Sequence, residues 1–513
     1  MMNPGNRRFV ILLLVGLIVR LAVAWQPVPV LIARVLPDDA FIYFVIARNM
    51  AAGLGATFDG LAPTNGFHPL WALALTPVFA LWHGGDTPVH WALTLGALCD
   101  TAAGGLAGWI VWRGVTGRGR SDACPEGATT RVAPTVAMTL YLFNPRAIQE
   151  SVNGLETGLA MLALAGCVAA WQWAGERPGA GRDALFGLAC GLAVLARSDL
   201  GLMAAVLWLA LVWAGIRGGS PTLAVTHWPA PVAALAVVAP WWAWSQWRVG
   251  TVVQSSAVGI PSLVAYRVQT SAGGEAWRGL LLPILNLGFR DTMIYAGVGL
   301  LALCMGVLVA RLVRAPLYRS ELWLPLLGAL IIAAVHTAVR WYPRGWYFVP
   351  VAWGVALAAA PVWVAGPATK VPRRLAGGIA MALAVIACAQ SVKMIGEPEY
   401  AWQADMRAGA EWLRANTAPE ATVGAFNAGI YSYYSGRRVL SLDGLVDWGA
   451  IAARREGRLL DYFVERGGSL LLDHREYLWG SFSPFFGSRK LELIAELPVA
   501  DKRYGPIVVY RVH

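Results

Sequence analysis

Apolar runs separated by short charged loops make up most of the first 395 residues of this chain. Runs of about 20 residues can cross a bilayer. Such runs lie near 8–25, 88–112, 131–148, 155–174, 228–247, 293–313, 321–338, 345–364 and 375–392. A further pair, 184–196 and 200–216, is broken by Arg197-Ser198-Asp199. The pattern predicts a polytopic α-helical membrane protein with about eleven spans.

The run from Pro69 to Trp82 decides the predicted topology. It is too short to cross the bilayer comfortably, so we place it in the outer interface. Basic loop residues then collect on the cytoplasmic side, as the positive-inside rule requires. They are Arg113, Arg118, Arg120, Arg177, Arg182, Arg217, Arg311, Arg314, Arg319, Lys370, Arg373 and Arg374. The prediction is an N-terminus inside and a C-terminal segment outside.

The sequence changes character near residue 396. Met406 to Asn416 has the pattern of a helix, and further helical segments lie near 429–435 and 447–466. Five short β-like runs alternate with them: 423–426, 439–442, 469–472, 491–495 and 507–510. Alternating strands and helices predict a small α/β domain. The chain therefore divides into a membrane domain at 1–395 and an extracytoplasmic α/β domain at 396–513.

Composition agrees with this division. Hydrophobic residues make up 57% of the chain and charged residues only 14%. A soluble domain of this size has no interior large enough for so much apolar sequence. The formal charge of +11 comes largely from arginines in short loops, so it does not indicate nucleic-acid binding. The six cysteines have no paired spacing and indicate neither a disulfide framework nor a zinc site.

Three acids are candidates for chemistry. Asp38 and Asp39 follow the first apolar run, where carboxylates are costly and usually functional, although an acid after Pro37 is also a good helix cap. Glu156 lies at the outer start of a span, where the helix dipole alone would favour it. All three face the same predicted side, which suits general-base work on a sugar hydroxyl or a divalent metal held by oxygen ligands. A metal requirement stays open, with Asp38, Asp39 and Glu156 as its candidate ligands.

Basic residues form the second half of the candidate site. Arg340 and Arg344 lie at the outer ends of two spans, against the charge bias. Either they snorkel beside interfacial aromatic residues, or they clamp a phosphate through bidentate hydrogen bonds. Arg197 is a further substrate-binding candidate, although pairing with Asp199 is its favoured role. His68, a loop histidine, is a weakly indicated member of the same group.

A transferase on the outer face needs a donor that the membrane delivers, because no nucleotide sugar or ATP is available there. A polyprenyl-phosphate sugar meets this need, since its tail lies in the bilayer and its phosphate leaves at the surface. A carboxylate base and an arginine clamp are the two parts that this reaction requires. The alternative is a polytopic transporter or lipid flippase, which would place its charges near the bilayer midplane. A scaffold protein explains the topology but not the collected acids and arginines.

Five segments in order resemble bacterial membrane glycosyltransferases of the GT-C class. They are Pro37 to Phe44 with Ala47-Arg48-Asn49, Thr64 to Trp71, Asn153 to Thr157, Ala196 to Asp199, and Gly429 to Leu445, which ends in Leu442-Asp443-Gly444-Leu445. The segments are similar to those of mycobacterial arabinofuranosyltransferases and, more distantly, of protein O-mannosyltransferases and the aminoarabinose transferase. Ser198 departs from the Arg-Pro-Asp turn that is usual at its position.

The resemblance implies a GT-C-like fold with interfacial helices in the first outer loop, in the bacterial cytoplasmic (inner) membrane. It implies inverting transfer of a hexose or pentose from a polyprenyl-phosphate donor to a glycan, lipid or protein acceptor. The lipid-linked sugar is then a co-substrate, a divalent metal is the one cofactor left open, and nucleic acid is not a partner. Asp38 maps to the general base, and Asp39 would position the acceptor or a metal.

Overall fold

The computed structural model describes residues 4–116, 129–176, 179–217, 227–259, 321–338, 344–364 and 398–513. Within these ranges, residues up to 364 form helices with connecting loops, and residues from 398 onward form a small α/β unit. The predicted spans at 293–313 and 375–392 lie outside the described residues, and so does Arg340.

Four helices precede the main bundle: α1 (Pro4–Ala24), α2 (Val28–Arg34), α3 (Asp38–Ala51) and α4 (Pro69–Leu81). The axes of α1 and α2 meet at 102°, because Pro27 and Pro29 lack the backbone N–H that would continue α1. The predicted helices after Asp38 and after Pro69 are confirmed as α3 and α4. Their position in the membrane interface stays a prediction.

The main bundle contains α5 (Thr87–Thr116), α6 (Thr129–Leu142), α7 (Pro145–Ser151), α8 (Thr157–Glu176), α9 (Ala180–Ala196), α10 (Leu200–Arg217), α11 (Pro229–Val249), α12 (Leu324–Ala338) and α13 (Val349–Val364). Among the described residues, α5, α8 and α10 are long and apolar enough to cross a membrane, and α1 with α2 would add a fourth span. The total of about eleven spans therefore stays a prediction. The predicted span at 131–148 is corrected: Asn144 caps α7 with its side chain and Pro145 begins it, so the run is divided.

Small residues let the bundle helices approach one another closely. Gly187 and Gly191 lie one turn apart on α9. A Cβ atom at Gly187 would lie 2.0 Å from the Ala230 carbonyl oxygen on α11, and one at Gly191 would lie 2.6 Å from Cβ of Val237. Close backbone contact of this kind holds helices together in membranes, where burial of apolar surface between helices adds little.

The C-terminal unit is a five-stranded sheet flanked by helices. The strands β1 (Thr422–Ala425), β2 (Arg438–Ser441), β3 (Gly468–His474), β4 (Leu491–Leu497) and β5 (Ile507–Val512) lie in the order β2-β1-β3-β5-β4. β1 pairs in parallel with β2 and β3, and β5 runs antiparallel to β3 and β4. The helices include α14 (Met406–Asn416), α15 (Ala428–Ser435), α16 (Trp448–Arg455) and α17 (Leu459–Glu465). The predicted small α/β unit is confirmed, whereas the boundary at residue 395 and the extracytoplasmic location stay predictions.

The C-terminal unit packs directly against the first loop, and the two share one hydrophobic core. Phe41 of α3 and Tyr433 of α15 both belong to this core, with ring centroids 5.4 Å apart. At its edge, Arg438 and Arg466 contact the Asp59 carboxylate at 3.0 and 2.9 Å. The first loop is therefore held against the C-terminal unit by both apolar and charged contacts.

Candidate functional site

The start of α3 carries the two acids of the first loop. Asp39 and Tyr43 are four residues apart and share one face of the helix, whereas Asp38 shares a face with Ile42. The neighbouring carboxylates consequently point in different directions. Asp38 faces the C-terminal unit, and Asp39 faces the loop that carries Glu156.

Asp38 is 6% exposed and is held by the C-terminal unit. Its Oδ2 accepts the Gly429 N–H at 2.9 Å, and its Oδ1 accepts the Ile430 N–H at 2.7 Å. Its own N–H donates to Oε1 of Gln403 at 2.6 Å. Burial raises the pKa of Asp38 to about 8, while the two backbone N–H groups act to lower it. The alternative in which an acid after Pro37 caps its own helix does not hold for Asp38, because its side chain accepts the first N–H groups of α15 instead.

Asp39 faces the other charged groups of the site. Burial raises the pKa of Asp39, the Arg344 guanidinium acts to lower it, and Glu156 acts to raise it further. Within the described ranges, the Asp39 carboxylate accepts no hydrogen bond from the protein. Asp443, in the loop after β2, also interacts electrostatically with Asp39, and burial raises the pKa of Asp443 to about 7. Of the two neighbouring acids, Asp39 is the one left available to a ligand.

A rigid turn holds Glu156 beside α3. Gly154 has a φ of +77°, and a Cβ atom there would lie 2.8 Å from Cβ of Ala40, so both the backbone and the space require glycine. The Asn153 side chain accepts the Leu155 N–H at 2.9 Å and closes the turn. The Asn-Gly-Leu-Glu segment therefore places the Glu156 carboxylate, which is 4% exposed, at a fixed position.

Tyr43 and His68 connect Glu156 to the first loop. The Tyr43 hydroxyl accepts the His68 backbone N–H at 3.1 Å. The Glu156 carboxylate lies within electrostatic range of this hydroxyl and acts to raise the pKa of Tyr43. The His68 Nε2 lies 3.8 Å from Oε1 of Glu156. Burial lowers the pKa of His68, although Glu156 and Asp199 act to raise it. The structure thus brings His68 to the site, and its role in substrate binding stays a prediction.

Arg197 is buried at the centre of a series of linked polar groups. Its Nε donates to Oδ1 of Asp199 at 2.7 Å, and its Nη1 donates to the Trp346 carbonyl oxygen at 3.0 Å. Its guanidinium lies 6.0 Å from the centroid of the Tyr347 ring. Its Nη2 is buried without a hydrogen-bond partner among the described residues. The Nη2 can therefore donate to a ligand that enters the site.

Asp199 orients Arg197 and is itself held by His336. The second Asp199 oxygen lies 2.9 Å from the His336 Nε2. Burial acts to raise the pKa of Asp199, but Arg197 and His336 together hold it well below its usual range. The predicted pairing of Arg197 with Asp199 is confirmed, and it leaves the Arg197 Nη2 without a hydrogen-bond partner in the part of the chain that the structure describes.

His336 and Tyr347 are site residues that the sequence analysis missed. His336 lies inside the apolar run 321–338, and a lone histidine in such a run was the available signal. Tyr347 belongs to a short 3₁₀ turn, Gly345–Phe348, and its ring centroid lies 4.5 Å from that of His336. No local pattern singled out this tyrosine among its aromatic neighbours.

Arg344 immediately precedes the same 3₁₀ turn. Its guanidinium lies 5.7 Å from the centroid of the Trp346 ring, and its charge acts on Asp39. Of the two arginines predicted to bind phosphate, Arg344 is thus near the carboxylates, and Arg340 lies outside the described residues. Phosphate binding by either one stays a prediction.

The three candidate metal ligands are not brought together. In the part of the chain that the structure describes, no three His, Cys, Asp or Glu side chains form a group that could hold a metal ion. The physical reason is the direction of Asp38, whose carboxylate is engaged by the α15 backbone. Asp39 and Glu156 remain near each other and can act on a hydroxyl without sharing a metal.

Solved structures match this chain over nearly its whole length. ArnT from Cupriavidus metallidurans, solved bound to undecaprenyl phosphate, has a TM-score of 0.57 at 15% identity, covering 98% of this chain and 97% of that chain. The same protein in the apo state has a TM-score of 0.55 at 14% identity, covering 99% and 98%. The archaeal oligosaccharyltransferase AglB from Archaeoglobus fulgidus, in complex with an inhibitory peptide and a dolichol-phosphate, has a TM-score of 0.52 at 13% identity, covering 91% and 69%.

Sequence comparisons add less. Residues 395–507 match the family described as "Domain of unknown function (DUF8728)". No curated protein sequence matches the chain. The structural matches establish the fold, and it is the fold that the resemblance of the five motifs implied. The chain has the fold of the GT-C membrane glycosyltransferases.

Proposed function

We propose that this protein transfers a sugar from a polyprenyl-phosphate donor to an envelope glycan, lipid or protein acceptor. The observation that carries the proposal is the buried guanidinium of Arg197 in a GT-C fold. Its Nη2 has no hydrogen-bond partner among the described residues, and the carboxylates of Asp199 and Glu156 are within its electrostatic range. ArnT, which shares this fold, was solved with undecaprenyl phosphate bound. A lipid phosphate is the kind of anion that such a guanidinium binds best.

The proposed site lies on the outer face of the bacterial cytoplasmic membrane, with the N-terminus inside. The distribution of loop arginines supports this orientation. It also supports a lipid-linked donor, because soluble activated sugars do not reach that face. The C-terminal α/β unit then lies outside and covers the acids of the first loop.

The geometry supports Asp39 as the general base in place of Asp38, to which the motif resemblance assigned that role. Both oxygens of Asp38 already accept backbone hydrogen bonds, whereas the Asp39 carboxylate accepts none from the described protein. Burial raises the pKa of Asp39, which brings its basicity closer to that needed at neutral pH. The two acids are adjacent, so they form a natural pair for comparison.

In the proposed reaction, the acceptor hydroxyl gives its proton to Asp39 while its oxygen bonds to the anomeric carbon. Attack comes from the face opposite the phosphate, so the configuration inverts. The bond between the anomeric carbon and the phosphate oxygen breaks through an oxocarbenium-like transition state. Its electron pair leaves with polyprenyl phosphate, whose charge Arg197 and Arg344 balance. Glu156 and Tyr43 orient the acceptor.

The test uses purified full-length protein in detergent with short-chain polyprenyl-phosphate sugars (arabinofuranose, mannose, glucose and galactose) and candidate acceptors. Release of polyprenyl phosphate is followed by mass spectrometry. We expect release from at least one donor, and a loss of about 100-fold or more in Asp39→Asn, as removal of a general base produces.

Glu420→Gln is the matched control, because it removes one exposed carboxylate from the C-terminal unit, away from the site. This variant should retain wild-type turnover. Normal turnover in folded Asp39→Asn would rule out Asp39 as the base. Absence of release from every donor and acceptor would argue against the transferase and favour a transporter.

A further inference from the structure

Helix α15 is held at both ends by side chains of α3. At its start, Asp38 accepts the N–H groups of Gly429 and Ile430. Near its end, Arg48 donates to the carbonyl oxygens of Tyr433 at 3.1 Å and Ser432 at 3.5 Å. The first N–H groups and last carbonyl groups of a helix lack partners within it. A negative group at the start and a positive group at the end also suit the helix dipole.

The residue at the N-cap position of α15 does not occupy the first backbone N–H groups of the helix, so they are available to Asp38. Asn427, at the N-cap position, does not cap α15 with its side chain. Its amide nitrogen instead donates to the carboxylate of Asp473 at 3.1 Å. The first N–H groups of α15 consequently go to an acid that is 391 positions away in the chain. The cap of α15 is therefore supplied by α3, which belongs to a different part of the chain.

The two helices are too close for any larger residue at the contact. A Cβ atom at Gly429 would lie 2.2 Å from the Asp38 carbonyl oxygen and 3.1 Å from the backbone nitrogen of Ile42. The Arg48 guanidinium also lies 5.3 Å from the centroid of the Tyr433 ring. Backbone approach and hydrogen bonds fix the start of α15 against the first turn of α3, and the hydrogen bonds and charge of Arg48 fix its end against the last turn.

We propose that Asp38 and Arg48 latch the C-terminal unit onto α3, and that Asp38 acts as a positioning residue for its neighbour Asp39. The inference rests on the function proposed above. Because Asp39 is the next residue along α3, fixing the backbone of Asp38 fixes the direction of the Asp39 carboxylate. The latched unit also holds Asp443 within electrostatic range of Asp39. The C-terminal unit thus takes part in building the site.

The test compares Asp38→Asn, Arg48→Gln and Asp39→Asn, with Glu420→Gln as the control, in full-length protein. Backbone hydrogen exchange of residues 428–435 is measured by mass spectrometry, beside turnover with the donor that the wild type uses. We expect exchange in α15 to rise about tenfold in both latch variants, as loss of a helix cap and of its hydrogen bonds implies. Turnover in these variants should fall about tenfold, less than the 100-fold expected for a lost base.

Asp39→Asn should differ from the latch variants: its turnover should fall about 100-fold or more, and the exchange in α15 should be unchanged. If Asp38→Asn is as inactive as Asp39→Asn while its α15 exchange stays unchanged, the latch is refuted and Asp38 is the base. Arg48→Gln carries the test if Asp38→Asn does not fold, and unchanged exchange in this variant would likewise refute the latch. If the wild type releases no polyprenyl phosphate, the proposed function fails, and the exchange data still decide whether the latch exists.

Discussion

Arg20 and Asp100 form an ion pair inside the helical bundle, and we expect its members to be costly to remove singly but not together. Both side chains are 0% exposed, and the Asp100 Oδ2 accepts from Nη2 and Nε of Arg20 at 2.7 and 2.9 Å. The Arg20 Nη1 donates to the carbonyl oxygens of Gly16 and Leu142 at 3.0 and 2.9 Å. The other Asp100 oxygen accepts the Tyr141 hydroxyl. Every polar side-chain atom of Arg20 and Asp100 therefore has a hydrogen-bond partner among the described residues.

The expected energies follow from this geometry. At contact distance and an effective dielectric constant of about 20, the attraction is on the order of 5 kcal/mol. It offsets a desolvation cost of several kcal/mol for each ion. Asp100→Asn leaves the Arg20 charge buried and uncompensated, so we expect the free energy of unfolding to fall by about 3–5 kcal/mol. The double variant Arg20→Met with Asp100→Leu removes both charges, and its stability should lie within about 2 kcal/mol of the wild type.

The free energies are measured by unfolding the protein with sodium dodecyl sulfate in mixed micelles, followed by tryptophan fluorescence. Arg20→Met completes the double-mutant cycle. Additive losses in the two single variants and the double variant would refute the electrostatic reasoning. Polyprenyl-phosphate release by the folded double variant is the functional half of the experiment. Loss of activity there would give the pair a role in function, whereas retained activity makes it structural.

Three further perturbations test the site. Arg344→Gln should raise the KM for the donor and move the acid limb of the kcat/KM profile to higher pH, because the base must be deprotonated and the arginine acts to lower the pKa of Asp39. Glu156→Gln should move that limb to lower pH, and a shift of the same sign in both variants would contradict the assignment. Gly154→Ala should lower the free energy of unfolding by about 2–3 kcal/mol, measured in the same detergent titration, since φ is +77° and the Cβ atom would meet α3; an unchanged value would refute the rigid turn. Asp199→Asn should raise the donor KM about tenfold with a smaller change in kcat, since it loosens the buried guanidinium, and a loss confined to kcat would exclude a role in donor binding.

The sequence was most informative where local pattern controls local structure. The five β-like runs of the C-terminal unit and the helix from Met406 to Asn416 appear where they were predicted. Each strand is short, rich in apolar residues and bounded by polar or glycine-containing segments, which is the pattern of strands in a small α/β sheet. The turn at Arg197-Ser198-Asp199 was also predictable, because three polar residues interrupt two apolar runs.

The direction of the Asp38 side chain could not be predicted in this way. Local rules favour an acid after Pro37 as a cap for its own helix. The partners that capture it, Gly429 and Ile430, are almost 400 positions further along the chain, and their approach depends on how the C-terminal unit packs. A tertiary contact overrode the local preference. Within the described residues, the same contact separates Asp38 from the expected three-carboxylate group.

His336 illustrates a second limit. The run that contains it is apolar enough to predict a helix, but nothing in the run indicates a role for the single histidine. Its importance comes from Asp199, which lies in a separate turn and needs a second partner to keep Arg197 oriented. A series of hydrogen-bonded side chains of this kind can be recognised only in the folded structure, because its members come from segments that are distant in sequence.

The contrast between Arg20 and Arg197, both of them buried, bears on the choice between enzyme and transporter. Arg20 lies within α1, and the described residues give all three of its guanidinium nitrogens a partner. Arg197 lies at a break between two helices, and its Nη2 has no partner among the described residues. An unused donor in a buried site costs free energy unless a ligand takes it. Because this donor lies at the break between two helices, within electrostatic range of Glu156, its position favours the proposed chemistry on a lipid phosphate over movement of a charge through the bundle.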